Sequence, residues 1–125
     1  MSQVVVQFDR IIPVEDIFHP GFAYWIRKHN LRGSSGLYFF YNASGELLYL
    51  GWSRYLTDRI RQHLKGNSRN TKHFIHEVTE VRILWAESFD EFRKRYPDCV
   101  DIEYYLIHHL NPKYNASRPN PFTAS

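Results

Sequence analysis

Glu103 falls on the apolar stripe that Val100, Ile107 and Leu110 trace along a C-terminal segment with helical periodicity. A carboxylate facing a core is costly unless it is paired or holds a metal ion. A snorkelling or salt-bridged glutamate at the stripe's edge is the competing reading. Arg59 and His63 are four residues apart in an earlier helical segment, so they share one face. They sit beside the Leu56, Ile60, Leu64 stripe, at its boundary with solvent, where Arg61 and Gln62 read as a solvated face. Tyr38 and Tyr49 lie on two apparent strands. In a chain with 9 tyrosines, cross-strand aromatic packing is a sufficient explanation of such a pair. The basic residues Arg54, Arg59, Arg61, Lys65, Arg69 and Lys72 concentrate within and just after the Arg59 helix, interrupted by Asp58 alone. Such a run is either a solvated face or a rim that tracks phosphates. His73 and His76, and the pair His108-His109, invite a metal reading. No cysteine or carboxylate nearby completes a zinc set, so they read as surface or packing residues.

These side chains need elements to place them. The chain of 125 residues suits one domain. Its 43% hydrophobic and 17% aromatic content excludes the disordered class. A net charge of +3 is compatible with a polyanionic partner without requiring one. The single cysteine, Cys99, excludes a disulfide framework and a multi-cysteine zinc site. No apolar run spans a membrane and no signal peptide is read, so the expected location is cytoplasmic. Val4 to Phe8 reads as a short strand or extended arm, and Pro13 to Phe18 as a helical turn. Pro20 suits the first turn of a helix that stops near Asn30 to Gly33. Ser34 to Tyr41 is expected as a strand with Leu37 and Phe39 on one face and Tyr38 and Phe40 on the other. The Asn42-Ala43-Ser44-Gly45 turn joins it to a strand over Glu46 to Gly51. Tyr55 to Lys65 is a helix, Gly66 to Asn70 a polar, mobile loop, and Val78 to Trp85 a third strand. Ser88 and Glu91 form a capping-box pattern, and Asp98 caps a last helix over about Cys99 to Leu110.

Gly36-Leu37-Tyr38, Tyr49-Leu50-Gly51, Arg59 and His63, the lone Glu103 and the closing Pro112-Lys113-Tyr114-Asn115 occur in that order. The pattern, over roughly Ser34 to Asn115, resembles the GIY-YIG nuclease family. It is most similar to the N-terminal nuclease domain of the bacterial excision-repair endonuclease subunit. The resemblance implies an α+β fold with a small three-stranded, mainly antiparallel sheet flanked by helices. It places the nuclease domain at 34–115, an arm and helix packed on it at 1–33, and a loosely ordered tail at 116–125.

The same resemblance implies a metal-dependent endonuclease that hydrolyses phosphodiesters in double-stranded or branched DNA. Glu103 would hold Mg²⁺ or Mn²⁺; one carboxylate suits a cation that keeps several waters and borrows phosphate oxygens. Arg59 would neutralise the scissile phosphate. Tyr38, with Tyr49 and His63, would activate the water, and a nearby arginine and metal would have to lower its pKa from about 10. Gly36 would relieve strand crowding, and Gly51 would also let the backbone approach substrate. Ser53 matches a small hydroxyl residue of the family, whereas Tyr55 departs from its usual Asn or Asp. Asn115 would brace the site or dock the C-terminus. Arg54, Arg61, Lys65, Arg69 and Lys72 would follow the DNA backbone. Two alternatives remain: a non-catalytic nucleic-acid-binding module and an RNA-cleaving nuclease. Target choice would rest on DNA shape, the N-terminal arm, self-association or a protein partner.

Overall fold

The computed structural model describes residues 6–115, without the side chains of Cys99 and Val100. The tail from Ala116, and Val4 and Val5 of the expected arm, lie outside the described residues. The elements in chain order are β1 (Arg10–Pro13), α1 (Val14–Phe18), α2 (Phe22–Lys28), β2 (Ser35–Tyr41), β3 (Leu47–Ser53), α3 (Leu56–Leu64), β4 (Glu80–Ala86), α4 (Phe89–Arg95) and α5 (Cys99–Leu110). The sheet has 4 strands in the order β1-β4-β2-β3, and all its pairings are antiparallel. The architecture is α+β, as expected, with one strand more than the expected three.

The extra strand is β1. Ile12 points into the core while Ile11 is exposed, the alternation of a half-buried strand. Pro13, which has no N–H, ends it at the sheet's edge, where proline is tolerated. Residues 6–8 form no strand. Instead, Phe8 packs edge-on against Phe39 at a centroid distance of 4.8 Å. Asp9 then ties the arm down: Oδ2 accepts from the Trp85 N–H at 2.9 Å and from Arg95 Nη1 at 2.7 Å.

β2 is central and nearly every residue of it is buried. Its two faces feed two cores. Tyr38 and Phe40 join Trp25, Tyr49, Ile60 and Phe74 on one side. Leu37 and Phe39 join Leu50, Phe92 and Leu106 on the other. A register shift between Phe40 and Tyr41 puts a bulge into the β2–β3 hairpin, so Phe40 pairs with Tyr49 and Tyr38 with Gly51.

Two expected helix starts are corrected. α2 begins at Phe22 behind Gly21, so Pro20 precedes the helix. Asp98 occupies the N-cap of α5, but its side chain makes no capping hydrogen bond. Ser88 does cap α4, its Oγ accepting from the Glu91 N–H. The Glu91 carboxylate turns to Lys94 rather than back to the cap. Asn111, in the left-handed region at φ 49°, ends α5 ahead of Pro112. No helix among the described residues is long and apolar enough to cross a membrane.

Candidate active site

The hairpin and α3 bring the first part of the site together. Tyr38 and Tyr49 come from one face of β2 and β3, with ring centroids 6.4 Å apart and nearly parallel. His63 lies over both, 5.1 Å from the Tyr38 ring and 5.6 Å from that of Tyr49. Its imidazole is not at a solvent boundary: it is 0% exposed, wedged by the bulky strands below α3. The expected position at the solvent boundary thus fails for His63, while Arg59, one turn earlier, is half-buried. Both ring nitrogens of His63 are hydrogen-bonded. Nε2 is 2.8 Å from the Tyr38 hydroxyl, and Nδ1 is 2.6 Å from Thr71 Oγ1. Burial, assisted by the charge of Arg59, pushes the His63 pKa down to about 3, so the ring is neutral near pH 7.

Tyr38 is perturbed in the other direction. Burial and the neighbouring Tyr49 hold its phenol well above the usual value, Glu103 adds to this, and the opposing pull of Arg59 is smaller. Desolvation opposes the phenolate, so Arg59 without a metal does not lower this pKa. The same interactions show that Tyr38 lies within electrostatic reach of Tyr49, Arg59 and Glu103.

Glu103 reaches the site from α5, 5% exposed. Its Oε2 accepts the Trp52 N–H at 2.8 Å. The reason lies in the topology. β3 is an edge strand, and its outward-facing backbone groups need partners from elsewhere. Tyr114 N donates to Leu48 O at 2.8 Å. Asn115 clasps Leu50 at both ends, Oδ1 accepting from its N–H at 2.8 Å and Nδ2 donating to its carbonyl at 3.0 Å. Glu103 takes the next N–H along. Asn115 therefore fastens the C-terminal segment to the strand that carries Tyr49 and Gly51.

The two glycines have steric reasons. A Cβ on Gly36 would overlap the Leu84 carbonyl of β4. A Cβ on Gly51 would lie 2.5 Å from the Tyr38 hydroxyl oxygen. The space above Gly51 is thus filled by Tyr38, not left for substrate. Ser53 Oγ accepts the Tyr55 N–H at 3.0 Å and shapes the turn into α3. Tyr55 takes the N-cap position without a side-chain cap and is 64% exposed.

The basic residues do not form one track. All of Arg54, Arg61, Lys65, Arg69 and Lys72 are exposed. Arg61 and Lys65 lean over Phe22, at 5.7 and 5.9 Å from its centroid. Being two and six residues from Arg59, they lie on other flanks of α3. Arg54 stacks on Phe89 at 4.6 Å, toward α4. Arg69 and Lys72 belong to the loop that holds Ser68 and Thr71.

That loop is polar in composition, yet Ser68 and Thr71 are 4% and 0% exposed. Arg59 Nη2 donates to Ser68 Oγ at 3.4 Å and Nη1 to Gln62 Oε1 at 3.0 Å. Sequence reasoning misses both hydroxyls. Their spacing of three residues is visible, but in one sequence it is indistinguishable from ordinary turn chemistry. His76, His108 and His109 are exposed, as is His73, which touches Phe74 and Tyr114. Among the described residues no group of three or more His, Cys, Asp or Glu could cage a metal. A cation at Glu103 would therefore need waters and substrate oxygens, which suits Mg²⁺ and not zinc.

The GIY-YIG catalytic-domain family matches residues 34–115. The chain belongs to the GIY-YIG family. It is 31% identical over 87 residues to the uncharacterized protein YurQ of Bacillus subtilis, covering 70% of this chain and 64% of that protein. It is 30% identical over 90 residues to the UvrABC system protein C of Clostridium beijerinckii, covering 70% of this chain. The match spans 13% of that relative's length. The GIY-YIG N-terminal endonuclease domain of UvrC from Thermotoga maritima, solved with magnesium as its catalytic divalent cation, superposes at a TM-score of 0.52. That likeness has 26% identity and covers 73% of this chain and 96% of the domain. A Tyr-to-Phe mutant of the same domain, also bound to the catalytic cation, gives a TM-score of 0.52 and 26% identity. The GIY-YIG architecture therefore accounts for the sheet and the flanking helices.

Proposed function

We propose that this GIY-YIG chain is a Mg²⁺-dependent endonuclease that hydrolyses phosphodiester bonds in DNA, with residues 34–115 as its nuclease domain. The observation that supports it most is the convergence of Tyr38, Tyr49, Arg59, His63 and Glu103. Three separate parts of the fold supply them, and their interactions perturb the Tyr38 phenol and the His63 imidazole in opposite directions. A module that only binds nucleic acid would use Glu103 as the partner of the Trp52 N–H alone, for which a neutral amide serves as well.

Glu103 would hold the cation, its carboxylate steadied by the Trp52 N–H. Bound Mg²⁺ supplies Lewis-acid stabilisation of the phosphate and the leaving oxygen. Arg59 meets charge growing on the phosphate with a planar fork of donors. The Tyr38 hydroxyl accepts the proton of the attacking water while its own passes to His63 Nε2, 2.8 Å away. Neither group is a strong base alone. A phosphate paired with Arg59 removes the repulsion that helps to depress His63, so the imidazole gains basicity when substrate is in place. Tyr49 packs against both and keeps the pair aligned. Mn²⁺ would substitute for Mg²⁺ in the same oxygen site.

Incubation of the purified chain with plasmid, branched DNA and RNA, with Mg²⁺ or a chelator, tests this reading. Cleavage of DNA in Mg²⁺ and none in chelator is expected. Cleavage of RNA alone would move the substrate to RNA. Binding without turnover in Mg²⁺ would reduce the chain to a binding module.

A further inference from the structure

Resting on the reading of His63 as the proton acceptor for Tyr38, we propose that Thr71 is a positioning residue. Its hydroxyl fixes His63 as the tautomer with hydrogen on Nδ1, leaving Nε2 bare toward Tyr38. His63 is fully buried and its two ring nitrogens face two hydroxyls, Tyr38 at 2.8 Å and Thr71 at 2.6 Å. A neutral imidazole carries one hydrogen, so one nitrogen donates and the other accepts. A hydroxyl can play either part, and the directions of both bonds are therefore locked together. If Nε2 carried the hydrogen, it would donate to the Tyr38 oxygen, and the phenol could not hand over its proton. If Nδ1 carries it, Thr71 Oγ1 accepts, Tyr38 donates to Nε2, and the Tyr38 lone pairs are left for water. Thr71 keeps its Oγ1 against Nδ1 because the turn around it is itself fixed. Its N–H donates to Ser68 O, and its carbonyl accepts from Phe74 and Ile75. Ser68, three residues earlier, accepts from Arg59 at 3.4 Å. One buried loop thus orients both polar residues of the site-facing flank of α3, as a partner on the far nitrogen orients a catalytic or ligating histidine elsewhere.

The test reads the tautomer directly and needs no turnover. The two imidazole ¹⁵N signals of His63 are assigned by their loss in His63→Gln and recorded for the parent, Thr71→Val and Thr71→Ser. The parent and Thr71→Ser should carry hydrogen on Nδ1, and Thr71→Val on Nε2. With the DNA substrate and Mg²⁺, kcat should fall about 10–100-fold in Thr71→Val with little change in KM, and Thr71→Ser should recover most of it. Hydrogen on Nε2 in the parent would overturn the proposal, whether or not Thr71→Val folds. So would a Thr71→Val protein with the parent's tautomer and rate, or a Thr71→Ser protein as slow as Thr71→Val. Absence of nuclease activity with hydrogen on Nδ1, shifted by Thr71→Val, would leave the tautomer assignment standing and overturn the nuclease reading instead.

Discussion

The two faces of the sheet are built from the same alternating strand and do opposite things. On the face shared with α4 and α5, Leu37, Phe39, Leu50, Phe92 and Leu106 pack without a polar atom among their side chains. On the face under α3, Tyr38, Phe40 and Tyr49 enclose His63. The first face excludes water and supplies stability. The second uses the same exclusion of water to lift a phenol and depress an imidazole. Burial of apolar groups and perturbation of ionisable ones are one physical act, applied to different residues. What separates the faces is a buried ionisable ring with its partners: Thr71 and Tyr38 give the imidazole two, so it does not carry the penalty of an unpaired group.

This contrast can be broken most sharply at Glu103, the group that links both faces. Glu103→Gln keeps an oxygen for the Trp52 N–H but loses the charge. Cleavage in Mg²⁺ should fall by at least ~10³-fold with the thermal midpoint nearly unchanged. A glutamine variant that cuts like the parent would remove Glu103 from the chemistry and leave it as an edge-strand partner. Tyr38→Phe attacks the polar face alone. Turnover should fall by about 10²–10⁴-fold, and stability should drop by roughly 1–3 kcal/mol because His63 Nε2 loses its partner. Normal rates in this variant would return Tyr38 to packing.

Leu106→Ala is the matching lesion on the other face. It should cost about 2–5 kcal/mol in denaturant unfolding, while kcat measured well below the melting range stays near the parent's. A kcat loss comparable to that of Tyr38→Phe would show that the faces are not separable. A smaller effect distinguishes them by pH. His63 titrates near 6.5 when unfolded and near 3 when folded. Between these values the unfolded chain binds a proton that the folded one does not, so stability rises with pH, by up to about 1.4 kcal/mol per unit. The stability is fully present above about 6.5 and is lost as pH falls toward 3. Unfolding curves of the parent and His63→Gln should diverge in that window and run parallel above it. The smallest effect concerns the rim. On the proposed reading, DNA lying along the Arg59 flank would meet Arg69 and Lys72, whose loop bonds Arg59 through Ser68, before Arg61 and Lys65. Replacing Arg69 and Lys72 should flatten the slope of log K against log salt by about 0.9 for each phosphate left without its cation, and replacing Arg61 and Lys65 by less. The reverse order would put the DNA on the Phe22 side of α3.

Local pattern was enough for most elements. The alternation of Leu37, Tyr38, Phe39 and Phe40 forced two buried faces, because a period of two has no other outcome on a strand covered on both sides. The turn at Asn42 to Gly45, Asn111-Pro112 after α5, and the Ser88 cap marked ends by chemistry that acts within a few residues. The order of the tyrosines, Arg59, His63 and Glu103 carried the family. The missing strand shows the limit: Arg10–Pro13 has too few residues to announce itself, and it is a strand because the edge of β4 accepts it.

Tertiary structure alone decided where water is absent. The position of His63 on the helix face was legible, but its complete burial depends on the aromatic rings that two strands place around it and on the loop that brings Thr71 to Nδ1. The direction of the Tyr38 shift is a balance of desolvation against Arg59, and sequence spacing contains neither distance nor dielectric. The hydroxyls of Ser68 and Thr71 became partners of Arg59 and His63 through a loop closure. Glu103 and Asn115 found their bonds through the edge of β3, 51 and 65 residues away in sequence. The sequence determined which groups are available and which faces they occupy. Only the folded chain determined which of them meet, because hydrogen bonding and desolvation act through space at a few ångströms.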